Sequence, residues 1–474
     1  MKKKLFYSVS LITTLIFLSI SIFFNFTYSP FNAEDVKKTI AVFSSETYGG
    51  RLAGSNENLL IGEIIRKNFE DNKLIPLNEG YKESFKTLCP TKNNESAYLK
   101  AYSGDKVIQT FKYGVDFKED MINFKINNLS FSQNDKVNIS KTSIEVLTDK
   151  GNCLFYITPN NDFSFRSSFI SEFPYDMVIL ITTDTYNKIL DLLISESTIS
   201  VNLPFTTSEK ELVNIVGVLK GSSKSLPPLV LTAHYDHLGQ DGLKNTYGGA
   251  LDNASGTAFL LELQKSLSSY GKPKRDIIFV ALNAEEFGLL GSKSFAENNF
   301  EKLKGSQVIN FDMIGSDGYP LTLMLGGSYK DKDSKLLKSI EKISKKNNID
   351  INVKYEDSSD HASFNNLGID SLSFCHSDMT KIHTPNDTID YISTDAINSA
   401  YSVIEDKINE SCYGIFTIFL HSKASLFILT ILSGFLISAP FIKHLKNKKI
   451  NWLILFLFQI IKYPSKFNGN TLPS

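Results

Sequence analysis

Two long, nearly unbroken apolar stretches bracket the chain, at residues 5–26 and 424–442. Each is close to the ~20 residues that a helix needs to cross a bilayer. Between them the pattern changes twice. In residues 36–85, Ser55 reads as the N-cap of a helix with Leu60, Ile61, Ile64, Ile65 and Phe69 on one face. Residues 86–210 are rich in Asn, Lys, Ser and Thr, with short apolar or alternating runs at 153–158, 177–182 and 198–203, which predict a β-rich insert. From 211 to 410, apolar runs of strand length alternate with helical patterns such as 334–345, which predicts an α/β domain. A last run at 450–461 has Trp452 near its start and Lys462 and Tyr463 after its end. It is short for a straight span, so it reads as an interfacial helix or a short second span.

The charges orient this layout. Lys2, Lys3 and Lys4 precede the first apolar stretch, and the basic cluster 443–449 follows the second. Cytoplasmic flanks carry the excess of lysine and arginine. Both ends therefore face the cytoplasm, and residues of about 30–420 lie outside the cell membrane. The first stretch is longer than the apolar core of a secretory signal. It ends in Asn25-Phe26-Thr27-Tyr28-Ser29-Pro30, which lacks the small residues of a cleavage site. An uncleaved anchor is expected, with a cleaved signal as the alternative. The expected division is 1–29 anchor or signal, 30–85 first part of the main domain, 86–210 insert, 211–412 main domain and 413–474 membrane segment with its basic cytoplasmic cluster. A net charge of −1 gives no electrostatic basis for binding nucleic acid. An exterior domain tolerates disulfides. Cys89–Cys153 pairing and four free thiols (with Cys375 and Cys412) both remain open.

Chemistry concentrates in the α/β part. His234, Asp252, Glu286, Asp312 and His383 are metal-binding side chains, and most stand just past an apolar run. Ligands of open α/β sheets gather outside the carboxyl ends of strands. Asp236, two residues after His234, is placed to be the carboxylate partner that orients a metal-binding imidazole. Asp252 lies in a turn flanked by Gly249 and Gly256, ahead of an apolar helix at 257–267. Glu285 and Glu286 are adjacent carboxylates, a repulsive pair explained if one ligates a cation and the other stays free as a base. Five ligands exceed the needs of one zinc, so two ions sharing one bridging group are expected. Three carboxylates and a bridging hydroxide balance two Zn²⁺, leaving both histidines neutral. Oxygen and imidazole donors without thiolate fit Zn²⁺ ahead of Mn²⁺ or Co²⁺.

These motifs in order resemble the co-catalytic two-zinc aminopeptidases of metallopeptidase family 28. The matching stretches are Ala233-His234-Tyr235-Asp236-His237-Leu238-Gly239, residues 249–256, Ala284-Glu285-Glu286-Phe287-Gly288, Asn310-Phe311-Asp312-Met313-Ile314-Gly315, Ser359-Asp360-His361 and His383-Thr384-Pro385-Asn386-Asp387-Thr388. Gly50-Arg51-Leu52-Ala53-Gly54-Ser55 resembles the family's opening motif. The resemblance implies a three-layer α/β/α fold with a mostly parallel mixed sheet, carrying here a β-rich insert similar to a protease-associated domain and terminal transmembrane helices. It also implies that Asp252 bridges the metals, that His234 and Asp312 complete one site and Glu286 and His383 the other, and that Glu285 is the general base. The implied activity is removal of N-terminal residues from peptides by water activated at the dizinc centre. The family often has a tyrosine just before the last histidine to hold the oxyanion; here that position is Ile382, and His361 is a candidate substitute donor. His237 and His376 read as structural or supporting histidines. Competing readings are a glutaminyl cyclase or carboxypeptidase on the same scaffold, and an inactive ectodomain used for binding.

Overall fold

The computed structural model describes residues 2–445, so the run at 450–461 and the basic stretch beyond 445 lie outside the described residues. Residues Ser29–Gly414 form one compact unit and the terminal helices another.

An eight-stranded sheet is the centre of the larger unit. Its strands are β1 (Lys82–Lys92), β2 (Phe205–Leu219), β3 (Leu229–His234), β4 (Ile277–Leu282), β5 (Gln307–Phe311), β6 (Leu321–Leu325), β7 (Ile351–Tyr355) and β8 (Asp370–His376). They lie in the order β1-β2-β4-β3-β5-β8-β6-β7. The pairs β4/β3, β3/β5, β5/β8 and β6/β7 are parallel, and β1/β2, β2/β4 and β8/β6 are antiparallel. β3 and β4 read as uninterrupted apolar runs because both their faces are covered, and every residue in them is buried. Helices Ala33–Phe43, Gly256–Ser269, Lys335–Lys346 and Thr394–Cys412 pack on one another, and Leu290–Asn298 packs on His361–Asn366. The fold is the mixed α/β architecture that the alternating pattern predicts.

Register decides where chemistry can collect. His234 pairs with Leu282 across β3/β4, Thr232 with Asn310 across β3/β5, and Phe311 with Phe374 across β5/β8. Four strands therefore end along one edge, just where the candidate ligands follow. Ser55 caps helix Asn56–Asp71 by accepting from the Asn58 amide at 3.1 Å. That helix buries Ile61, Ile65 and Phe69, whereas Leu60 and Ile64 are exposed, so the buried stripe is narrower than the sequence suggests.

β1 and β2 pair antiparallel from Lys82↔Ile215 to Lys92↔Phe205. The expected limits of the insert, 86 and 210, fall inside this ribbon because its far half is polar in sequence. The residues between the two strands carry two small sheets. One holds Lys106–Phe111, Tyr98–Ser103, Thr198–Asn202 and Asn128–Phe131; the other holds Phe117–Phe124, Met177–Ile181, Gly151–Ile157, Ser143–Thr148 and Lys136–Ile139. The short apolar runs predicted at 153–158, 177–182 and 198–203 fall on three of these strands. All four cysteines are buried free thiols.

In the terminal unit, Leu5–Thr27 and Lys423–Pro440 are helical and long and apolar enough to cross a membrane by length and composition. Polar side chains join them. The Tyr7 hydroxyl donates to the Leu436 carbonyl, and Ser21 Oγ and Asn25 Nδ2 tie the first helix to the short helix Ile415–His421 by donating to the Leu420 carbonyl at 2.9 and 3.0 Å.

One buried ion pair fastens the insert to the loop after β3, and a second braces the insert internally. Lys118 Nζ lies 2.9 Å from Asp241 and donates to the Tyr247 hydroxyl at 2.8 Å, and Arg166 pairs with Glu119 at 3.0 Å. Breaking a buried pair strands a charge and costs about 3–5 kcal/mol, whereas replacing both members with apolar groups is often neutral. Lys118→Met and Asp241→Leu are each expected to lose stability of that order, and the double variant to lose much less. Denaturant unfolding of the three variants checks this.

Candidate metal centre

Backbone shape comes first. Gly249 has φ +57, and a Cβ there would lie 2.2 Å from the Asp252 carbonyl oxygen and 2.5 Å from the His237 ring. Only glycine fits, and the chain turns sharply enough to bring Asp252 to the sheet edge. Two carboxylates then hold the turns that carry the acidic residues. Asp387 accepts from the amides of Leu251 at 2.8 Å and Asp252 at 3.0 Å. Asp236 accepts from the amides of Glu285 and Glu286, both at 3.2 Å. Asn253 Oδ1 accepts from the Gly256 and Met313 amides and so joins the Asp252 turn to the end of β5.

Arg51, wholly buried, explains the opening Gly-Arg motif. Its guanidinium donates to the carbonyls of Phe43, Tyr235, Gly248 and Gly249 at 2.6–3.1 Å. Burial lowers its pKa to about 10, opposed by Asp387, Asp252, Asp236 and Glu286, so it stays charged at neutral pH.

His234, Asp252, Glu286, Asp312 and His383 converge at the carboxyl edge of the sheet. His234 Nε2 lies 3.5 Å from Asp252 Oδ1 and 3.5 Å from Asp312 Oδ1. His383 Nε2 lies 3.3 Å from Asp252 Oδ2 and 3.4 Å from Glu286 Oε1. The two oxygens of Asp252 thus face different groups. Ligands held about 2.0–2.1 Å from a tetrahedral zinc are about 3.3–3.4 Å apart, so these spacings fit a metal. They exceed good hydrogen-bond lengths, and His234 Nε2 and Asp312 Oδ1 are buried without a hydrogen-bond partner. Charge agrees with spacing. Burial disfavours a charged His383, yet Glu286 and Asp252 push it up to about 11. Carboxylates gathered this closely around His383 concentrate negative charge, which divalent cations would balance.

Glu285 lies beside this group, with Oε2 4.0 Å from His234 Nε2. Burial pushes its carboxyl well above the usual range; Glu286, Asp360 and Asp312 add to this and His234 opposes it. His237 Nδ1 is 3.0 Å from Glu286 Oε1 and 3.9 Å from Asp252 Oδ2, an approach that sequence does not single out. The first distance is a hydrogen bond to the carboxylate.

Two expectations change, for Asp236 and His361. Asp236 is 3.8 Å from His234 Nδ1, beyond hydrogen-bond reach, because its oxygens are occupied by the Glu285 and Glu286 amides. His361 is no free oxyanion donor: Nδ1 is bonded to Ser373 Oγ at 2.8 Å and Nε2 to the Glu356 carbonyl at 2.9 Å. His376 Nδ1 accepts from the Gly315 amide, a structural bond. Sequence reasoning also missed Ser168, whose hydroxyl donates to Glu286 Oε2 at 2.6 Å from within the insert. No periodicity or motif marks that serine.

A cleft of about 270 Å³ opens over these groups. Asp252, Glu285, Glu286, Asp312 and His383 line it, with Met313, Met324, Met379 and Ile382 as apolar wall and Lys354 and Glu356 as charged members.

An α/β sheet with histidines and carboxylates gathered at its strand ends defines a candidate metal centre. Residues 214–407, less than half of the chain, match Peptidase family M28. Aminopeptidase YwaD of Bacillus subtilis (strain 168) is 32% identical over 208 residues, 42% of this chain and 44% of that protein. A vacuolar membrane protease of Clavispora lusitaniae is 43% identical over 82 residues, 17% of this chain and 7% of that protein. The chain thus spans less than half the length of these curated relatives. Among solved structures, the aminopeptidase from Aneurinibacillus sp. strain AM-1 has a TM-score of 0.56 at 20% identity, covering 81% of this chain and 94% of that one. The zinc aminopeptidase BSAP from Bacillus subtilis has a TM-score of 0.58 at 20% identity, covering 81% and 96%. These likenesses establish the fold.

Arg51→Lys keeps the charge but loses the fork of donors. Leaving several buried carbonyls unpaired is expected to cost at least about 2 kcal/mol, at ~1–3 kcal/mol for each group. Thermal unfolding beside wild type measures it.

Proposed function

We propose that the chain is a membrane-anchored aminopeptidase that removes N-terminal residues from peptides outside the cell at a two-zinc centre. The observation that carries the reading is Asp252, whose two carboxylate oxygens face two separate histidine–carboxylate groups. Asp252 would hold both ions, His234 and Asp312 would complete one position, and Glu286 and His383 the other. Bound zinc supplies Lewis acidity that polarises a carbonyl and acidifies water. Glu285, at the cleft and carrying a carboxyl of raised affinity for protons, takes a proton from the attacking water and returns it to the leaving amine. Asp236 and Asp387 act through the backbone, fixing where Glu285, Glu286 and Asp252 point. Ile382 carries no hydrogen-bond donor at its side chain, so it would leave the charge developing on the carbonyl oxygen to cations held by Asp252, His234, Asp312, Glu286 and His383. The apolar wall of Met313, Met324, Met379 and Ile382 suits an apolar substrate side chain. Membrane anchoring is supported by two terminal helices long and apolar enough to cross a bilayer, and lysines at the first helix's start favour a cytoplasmic N-terminus.

Paired variants separate chemistry from ligation. Glu285→Gln is expected to keep two zinc ions while kcat falls by ~10²–10⁴. Glu286→Gln is expected to lose or loosen one ion as well. Elemental analysis beside kcat for cleavage of an aminoacyl reporter decides; near-normal turnover in Glu285→Gln removes Glu285 as the base.

Topology has its own measurement. Single cysteines placed in residues 93–204 are expected to react with an impermeant thiol reagent on intact cells, and one at Lys446 to be protected. Labelling of position 446 from outside would reverse the orientation.

A further inference from the structure

The loop at residues 162–173 leaves the insert and crosses to the candidate metal centre, where it touches one of the two ligand groups. Ser168 Oγ donates to Glu286 Oε2 at 2.6 Å, and the Phe169 amide donates to the Glu286 carbonyl at 2.9 Å. The Arg166 amide donates to the His383 carbonyl at 2.9 Å, and the Phe165 ring stacks on the His383 ring with centroids 5.5 Å apart. Glu286 and His383 are thus each held at backbone and side chain by residues more than a hundred positions away. The loop is itself fastened to the insert, through Arg166 to Glu119 at 3.0 Å and Ser167 Oγ to Asp120 Oδ2 at 2.9 Å.

The other group is supported differently. Thr257 Oγ1 donates to the His234 carbonyl at 2.6 Å, and Ser359 Oγ donates to Asp312 Oδ2 at 2.7 Å. Both supports come from the α/β domain.

From this asymmetry we propose that the insert sets the metal affinity of the position formed by Glu286 and His383, through Ser168 as positioning residue, and leaves the position of His234 and Asp312 untouched. The proposal rests on the two-metal reading above. With Oε2 fixed by the Ser168 hydroxyl, Oε1 stays turned toward His383 Nε2, 3.4 Å away. Without the hydroxyl, the carboxylate keeps only the His237 Nδ1 bond to Oε1, 3.0 Å away, and Oε2 loses its fixed position, which ligation must restore. Hydrogen-bond partners behind a ligand are typically worth 10–100-fold in metal affinity. A loop that shifts with the insert would load or release one ion without unfolding the α/β domain.

The test is a chelator-competition titration of the full chain in detergent, following the release of each zinc ion, with a melting curve for each variant. Ser168→Ala is expected to weaken one ion by ~10–100-fold and leave the other at its wild-type affinity, while Ser168→Thr, which keeps the hydroxyl, restores the first. Ser359→Ala is expected to weaken the other ion instead. Two ions held by Ser168→Ala at wild-type affinity, or both weakened together, would overturn the proposal and leave the two-metal reading standing. A wild-type chain that releases a single ion would overturn both.

Discussion

Crowded negative charge is the constraint on which this structure depends. Asp252, Glu286, Asp312, Glu285, Asp236 and Asp360 are gathered at one sheet edge, with most of their oxygens out of water. Unpaired buried carboxylates are too costly to keep ionised. Burial pushes Asp236 up to about 7 and Asp360 up to about 6, and against its own burial His383 is pushed up to about 11 by Glu286 and Asp252. Such a cluster is tolerable only around cations. The surrounding architecture, from the glycine turn at 249 to the buried guanidinium of Arg51, holds that cluster together and in register.

Two backbone clamps do much of this holding. Asp387 grips the turn of Asp252 and Asp236 grips the turn of Glu285 and Glu286, each by accepting from two successive amides. Both clamps serve residues on other strands' ends rather than their sequence neighbours. The aligned ends of β3, β4 and β5 make this possible, since the turns leaving them lie side by side.

That geometry also explains what the sequence discloses and what it hides. The α/β unit is legible because β3 and β4 are buried on both faces and so appear as plain apolar runs. The convergence of His234, Asp252, Glu286, Asp312 and His383 is legible because most follow such a run and Asp252 is marked by its glycine-flanked turn. Asp236 is misread because nearness in sequence points it at His234, whereas the fold turns its oxygens to the neighbouring strand's exit. His361 looks available as a donor until Ser373 and the Glu356 carbonyl are seen to occupy both its nitrogens. Ser168 is invisible for a third reason: its partner is 118 residues away, and a polar loop leaves no hydrophobic trace.

The β1/β2 ribbon has a consequence for how such a chain can be assembled from parts. Lys92 and Phe205 stand opposite each other at its tip, so 112 intervening residues enter and leave through adjacent strands. A segment spliced into a hairpin tip adds little loop-closure entropy and disturbs no ladder hydrogen bond. Because the segment lends Ser168 and Phe165 to the edge that carries Glu286 and His383, however, it is not a removable ornament. Closing the ribbon with a two-residue turn would be easy for the backbone and would leave Glu286 and His383 without the neighbours that now hold them.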